Sequence, residues 1–102
     1  HDALPIYNLT VITIGNHCCI SQGAMLCTGN HNYNSPGFEL MMKPIILYDG
    51  VWIGAKAIVG PGVTAHDHAM LTAGSVATRD MEACGIYQGN PAVLVKYRRL
   101  IV

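Results

Sequence analysis

The 102-residue sequence predicts an all-β fold, a parallel β-helix built as a hexapeptide-repeat solenoid, with one extruded loop and a short C-terminal tail. Three observations predict it. Aliphatic residues recur in steps of six, small residues recur between them, and glycine recurs where a turn would need it. Neither the period of an amphipathic helix nor the alternation of a hairpin produces that pattern.

Read in sixes from Ile14, the chain runs IGNHCC, ISQGAM, LCTGNH and, after an interruption, LYDGVW, IGAKAI, VGPGVT, AHDHAM and LTAGSV. Position one is Ile14, Ile20, Leu26, Leu47, Ile53, Val59, Ala65 and Leu71, aliphatic throughout. Position five is Cys18, Ala24, Asn30, Val51, Ala57, Val63, Ala69 and Ser75, small except at Asn30. Position four is glycine at Gly23, Gly29, Gly50, Gly62 and Gly74. Glycine there permits the positive φ of a type II turn, and Pro61-Gly62 is a preferred pair for it. Three units of six close a triangular coil of 18 residues (3 × 6), so position one points inward and stacks on the next coil. The expected stacks are Leu47 over Ala65, Ile53 over Leu71 and Val59 over Ala77. One coil cannot bury its own face, which is the condition for a solenoid.

Composition agrees. Half the residues are hydrophobic (51%) and 12% are charged, which excludes a disordered segment or a nucleic-acid arm. Six basic residues balance six acidic ones, so no bulk field draws nucleic acid or a membrane surface. No run reaches the roughly 18 apolar residues of a membrane span, and no basic-flanked secretory signal is present. Cys18, Cys19, Cys27 and Cys84 show no metal-finger or C-x-x-C spacing. They read as small buried hydrophobes of a reducing compartment, and the expected location is cytoplasmic.

His1 to Ile6 is what the end of a common short-read sequencing adapter encodes, CAC GAC GCT CTT CCG ATC followed by T, which also opens a tyrosine codon for Tyr7. The segment is set aside from the fold. The expected organisation is an adapter-derived artefact over residues 1–6, coils over 7–80 with a loop at 30–45, and a tail over 81–102. The chain is expected to continue N-terminally in the intact protein, the stack at Ile12, Ile14 and Ile20 otherwise standing open.

The hexapeptides, together with VWIGAKAIVGPGVT, LTAGSVATRD and the closing GNPA, resemble the hexapeptide-repeat acyltransferases. Within them TIGNHCCISQGAMLCTGNHNYNSP is similar to the WcaF-like colanic acid biosynthesis acetyltransferases. The resemblance covers Leu9 to Lys96. It implies a left-handed helix, acetyl-CoA as acyl donor, a homotrimer, and O-acetylation of a sugar or nascent glycan in exopolysaccharide synthesis.

The interruption NHNYNSPGFELMMKP leaves the coil at a corner, where a rigid scaffold can present binding groups. His31 stands at its base, in position six. The resemblance makes His31 the general base that takes the proton from the acceptor hydroxyl, a task suited to an imidazole because it titrates near neutrality. No covalent enzyme intermediate is implied. From the residue alone, without the resemblance, His31 reads first as a hydrogen-bond partner of its own loop. His17, His66 and His68 fall at turn or exterior positions and read as solvated or interface residues.

Trp52, the single tryptophan, takes an outward position just after the loop. By resemblance it lines the acceptor pocket, where an aromatic face suits a sugar's C–H face; otherwise it covers the loop base. Tyr33, Phe38 and Glu39 are further candidates for that pocket, Tyr33 first. The CoA positions carried over are Ala55, Ala73, Thr78, Arg79 and Lys96. Val93 departs from the basic residue usual after GNPA, leaving Lys96, Arg98 and Arg99 to compensate or to form a solubilising tail. No metal is expected: the β-helix carbonic anhydrases need two histidines close together in the interruption, and the segment from Cys18 to Gly50 holds His31 alone. The rival functions are acyl transfer to a non-sugar hydroxyl, on an amino acid or a drug, and a non-catalytic trimeric scaffold.

Overall fold

A computed structural model describes residues 10–101. The readings made for residues 1–9, the adapter segment among them, lie outside the described residues. In chain order the strands are β1 (Ile12–Ile14), β2 (Cys19–Ile20), β3 (Met25–Leu26), β4 (Gly29–His31), β5 (Leu40–Met42), β6 (Ile45–Leu47), β7 (Trp52–Ile53), β8 (Ile58–Val59), β9 (Thr64–Ala65), β10 (Met70–Leu71), β11 (Val76–Ala77), β12 (Gly85–Gly89) and β13 (Ala92–Tyr97). They form three parallel faces: β1-β6-β9, then β2-β7-β10-β12, then β3-β8-β11. The chain visits the first, second and third face in turn and returns, as a parallel β-helix must. No helix among the described residues is long and apolar enough to cross a membrane.

The register is the one the repeat predicts. Leu47 pairs with Ala65, Ile53 with Leu71, and Val59 with Ala77. Positions one and five supply the core: Leu47, Val51, Ile53, Ala57, Val59, Val63, Ala65, Ala69 and Leu71 are all at most 1% exposed. Burying each Leu, Ile or Val this way stabilises the fold by about 1.5–3 kcal/mol. Ser75 is the polar member of the position-five set, and its Oγ is satisfied by Thr72 Oγ1 at 2.7 Å and the Gly89 amide at 3.0 Å.

The turns explain position four. Gly23, Gly50, Gly62 and Gly74 have φ between 70° and 79°. His17, Lys56, His68 and Cys84 adopt φ of 59–62° at the same turn place, each against a penalty of roughly 1–2 kcal/mol for a side chain in that region. Gly29 does not share it, because the repeat has already broken there.

The break differs from the expected one. Across it, Asn16 and Asp49 are 33 residues apart instead of the 18 that separate Asp49 from Asp67. The 15 extra residues (33 − 18) are Gly29 to Lys43, which leave the coil as an antiparallel hairpin of β4 and β5, with Asn30 opposite Met41 and His31 opposite Leu40. Asn30 and His31 therefore do not hold positions five and six. Ile45, fully buried, fills position five on re-entry.

Two further expectations are corrected. The coil runs past residue 80. Asp80 is only 16 residues from Thr64, whose amide it accepts, so this coil is two short. Met81 then bridges to Ala65, and β12 lies parallel on β10. Of the strands after residue 80, β13 alone leaves the helical path, folding back antiparallel on β12. Nor are the four cysteines buried: Cys19 is exposed and Cys18, Cys27 and Cys84 are half-exposed, all as free thiols. Cys19 faces outward beside Trp52, and Cys84 occupies a turn.

Candidate functional site

The triangular cross-section has three corners, and the candidate residues divide between them. The third corner joins the third face to the first. It holds Gly60-Pro61-Gly62, Thr78-Arg79-Asp80 and the root of the hairpin. The second corner, between the second and third faces, holds Ser21-Gln22-Gly23, Gly54-Ala55-Lys56 and Thr72-Ala73-Gly74.

His31 ends β4 and is exposed. Its Nδ1 lies 2.9 Å from the Phe38 carbonyl oxygen. A carbonyl can only accept, so Nδ1 carries the proton and Nε2 keeps its lone pair. The Phe38 ring stacks on the imidazole at 6.0 Å and 28°, and Asn30 Oδ1 accepts the His31 amide at 2.8 Å. Phe38 has φ 52°, a conformation imposed by the tight return from Ser35, whose carbonyl accepts the Phe38 amide at 3.1 Å. Glu39, also exposed, has its carboxyl held below the ordinary value by a hydrogen bond with Ser35 and then by a backbone one. Tyr33, at the hairpin tip, is 77% exposed.

Beneath the hairpin a cavity of about 200 Å³ is lined by Asn30, Met41, Lys43, Gly60, Pro61 and Thr78. His31, Tyr33, Thr78 and Arg79 therefore share one corner, and Lys43 brings a cation the sequence reading did not select.

Trp52 lies elsewhere. It faces outward from β7 on the second face, the face opposite the third corner, and its Nε1 donates to Ser21 Oγ at 3.0 Å. Ala55 and Ala73 sit at the adjoining second corner, exposed and small, and the Ala55 carbonyl accepts the Gly74 amide of the next rung at 2.9 Å. Lys96 is exposed on β13 of the same face. Within one chain the candidate residues thus fall into two groups, one at the third corner and one on the second face and its adjoining corner, on opposite sides of the prism. Of the tail cations, Arg98 is committed: Nη1 donates to the Gly50 and His68 carbonyls, each at 3.0 Å.

Two contacts escaped the sequence reading. Phe38 was named there for its ring, as a candidate for the acceptor pocket, whereas its contact with His31 Nδ1 is made by its carbonyl, which every residue type has. Ser21 lies 31 residues before Trp52, and its proximity follows only once the length of the hairpin is known.

No family model matches the chain. It is 37% identical over 97 residues to the Escherichia coli protein WcaF, named for acetyl transfer in colanic acid biosynthesis, a match covering 95% of this chain and 53% of that protein. A galactoside acetyltransferase solved in complex with coenzyme A superposes with a TM-score of 0.83 at 26% identity, over 88% of this chain and 46% of that one. A maltose O-acetyltransferase from Clostridium difficile 630 superposes with a TM-score of 0.80 at 28% identity, over 87% and 49%. The chain spans about half the length of the curated relatives it matches. The rungs, the hairpin that interrupts them and these likenesses agree, and the chain belongs to the hexapeptide-repeat acetyltransferase family.

Proposed function

We propose that this chain carries the catalytic part of an O-acetyltransferase that moves acetyl from acetyl-CoA to a sugar hydroxyl, in exopolysaccharide synthesis. The observation that carries the reading is the contact of His31 Nδ1 with the Phe38 carbonyl. It leaves Nε2 as an exposed base on a ring that is oriented from behind. Support for the sugar comes from the names of the similar proteins, for a galactoside, maltose and colanic acid. Support for the donor comes from the coenzyme A bound in the galactoside enzyme.

Acetyl-CoA supplies the acetyl group already activated as a thioester. His31 takes the acceptor's proton as its oxygen attacks the thioester carbonyl, and returns that proton to the leaving sulfur. The products are an acetyl ester and CoA, and the histidine ends as it began. Ala55, Ala73, Thr78, Arg79 and Lys96 would line the CoA path, the alanines by offering small exposed side chains, and Arg79 and Lys96 by charge toward phosphate. Trp52 and Tyr33 would bound the acceptor.

His31 and Trp52 stand on opposite sides of one chain, so a site that uses both is built between chains. Cyclic closure joins two different surfaces of each subunit, and a homotrimer makes three such sites. Mixing His31→Ala and Trp52→Ala subunits tests this. Each variant alone is impaired, and mixed assemblies should recover activity at the interfaces where both residues are intact. Absence of recovery, or an active monomer in sedimentation, overturns the shared site. Acetyl-CoA consumption with and without galactosides, maltose or exopolysaccharide fragments tests the reaction itself; a protein that consumes no acetyl-CoA with any of them is not a sugar acetyltransferase.

A further inference from the structure

We propose that Ser21 is a positioning residue for the acceptor pocket, its hydroxyl holding the Trp52 indole in one orientation on the second face. The proposal rests on the reading of Trp52 as an acceptor-lining residue. Trp52 is 40% exposed and has register partners on both sides, Cys19 on β2 and Met70 on β10. An indole standing on such a surface can lean over either neighbour, because its two torsions have several wells. The bond from Nε1 to Ser21 Oγ, at 3.0 Å, selects the β2 side and turns the N–H edge toward the second corner.

Ser21 is itself anchored. Its amide donates to the Ile53 carbonyl at 2.9 Å, and its carbonyl accepts the Ala24 amide at 3.1 Å. Level with it, Gly54 is buried so tightly that a Cβ would come within 2.6 Å of the Ala73 nitrogen and 2.8 Å of the Leu71 oxygen. The indole edge is thereby tied to a closely packed, hydrogen-bonded part of the corner that carries Ala55 and Ala73. Without Ser21 the exposed indole N–H would bond to water, so folding loses little. The direction of the stacking face is what would be lost, and a sugar needs that face presented at a fixed angle.

Trp52 is the single tryptophan of the sequence, so its emission reports this ring alone. Time-resolved fluorescence anisotropy should show a fast wobble in Ser21→Ala that is absent from the parent and from Ser21→Thr. In the active protein carrying this chain, Ser21→Ala should raise KM for methyl galactoside or maltose by roughly 2- to 10-fold, the value of one hydrogen bond. Turnover, KM for acetyl-CoA and the urea midpoint should not move, and Ser21→Thr should restore the parent. If Ser21→Ala leaves both anisotropy and acceptor KM unchanged while Trp52→Ala raises that KM, Ser21 has no such role. If Trp52→Ala also leaves it unchanged, the acceptor reading of Trp52 fails, and this proposal with it.

Discussion

The imidazole of His31 and the carbonyl of Phe38 face each other across the hairpin at 2.9 Å. They are seven residues apart in the chain. The contact chooses the tautomer, and the stacked Phe38 ring restricts the tilt of the imidazole. It gives His31 what a general base needs, a fixed ring with its free nitrogen outward.

His31→Ala should lower kcat by roughly 10²- to 10⁴-fold with little change in CoA affinity. Steady-state kinetics alongside CoA titration calorimetry would check it. Near-normal turnover would remove His31 from the chemistry.

Glu39 predicts a pH response of the same hairpin. Its carboxyl is held below the ordinary value, first by the bond with Ser35. Protonation is therefore harder in the hairpin than in an unfolded chain. The stabilising contribution is present above the ordinary value of about 4.3 and is lost as pH falls through the lowered one. Amide shifts of Ser35 and Glu39 should titrate with a midpoint below that of Glu39 in the urea-unfolded chain, and Glu39→Gln should abolish the transition. A midpoint at or above that value would contradict the contact.

Two isoleucines of one column should differ in what they contribute. Ile53 is 0% exposed and Ile20, its register partner one rung earlier, is 39% exposed. Ile53→Ala should cost about 2–5 kcal/mol, measured by urea unfolding, and Ile20→Ala clearly less. Equal losses would mean that the first described rung is covered in solution.

A carboxylate ladder climbs the corner between the first and second faces, and it can be extended. Asp49 Oδ1 accepts the Asn16 amide at 2.8 Å, and Asp67 Oδ1 accepts the Asp49 amide at 3.1 Å. Ala83 occupies the next place, next to Cys84, whose amide bonds the Asp67 carbonyl at 2.9 Å, and it offers the Asp67 amide no carboxylate. Ala83→Asp should stabilise the fold by about 0.5–1.5 kcal/mol, the net value of one such hydrogen bond. An unchanged or lower unfolding midpoint would show that the shortened coil cannot take the rung.

Much of the scaffold was legible in the residues. Position one was aliphatic and position five mostly small because the interior of the prism is narrow and apolar, although it takes Ile45 at position five on re-entry, so Leu47, Ile53 and Val59 announced both their burial and their partners. Glycine at position four marked the turns for the same local reason, although His17, Lys56, His68 and Cys84 show that rung pairing can force that conformation on other residues. His31 could be selected by residue type and by resemblance, and its corner by the break in the repeat.

The rest depended on contacts between distant parts of the chain. The count of six carried the register into Asn30 and His31, because nothing in a hexapeptide says where a hairpin begins. Backbone pairing of β4 with β5 decided that, and it returned the chain to the core at Ile45. Likewise the coil past Asp80 closes two residues short, a length set by the pairing of Met81 with Ala65. The repeat by itself determined which side chains face inward, since that is a matter of period and volume. Only the tertiary structure decided which outward residues meet, placing Ser21 against Trp52 and setting Trp52 opposite His31, because outward neighbours are chosen by how rungs stack around an insertion and not by any preference the residues hold alone.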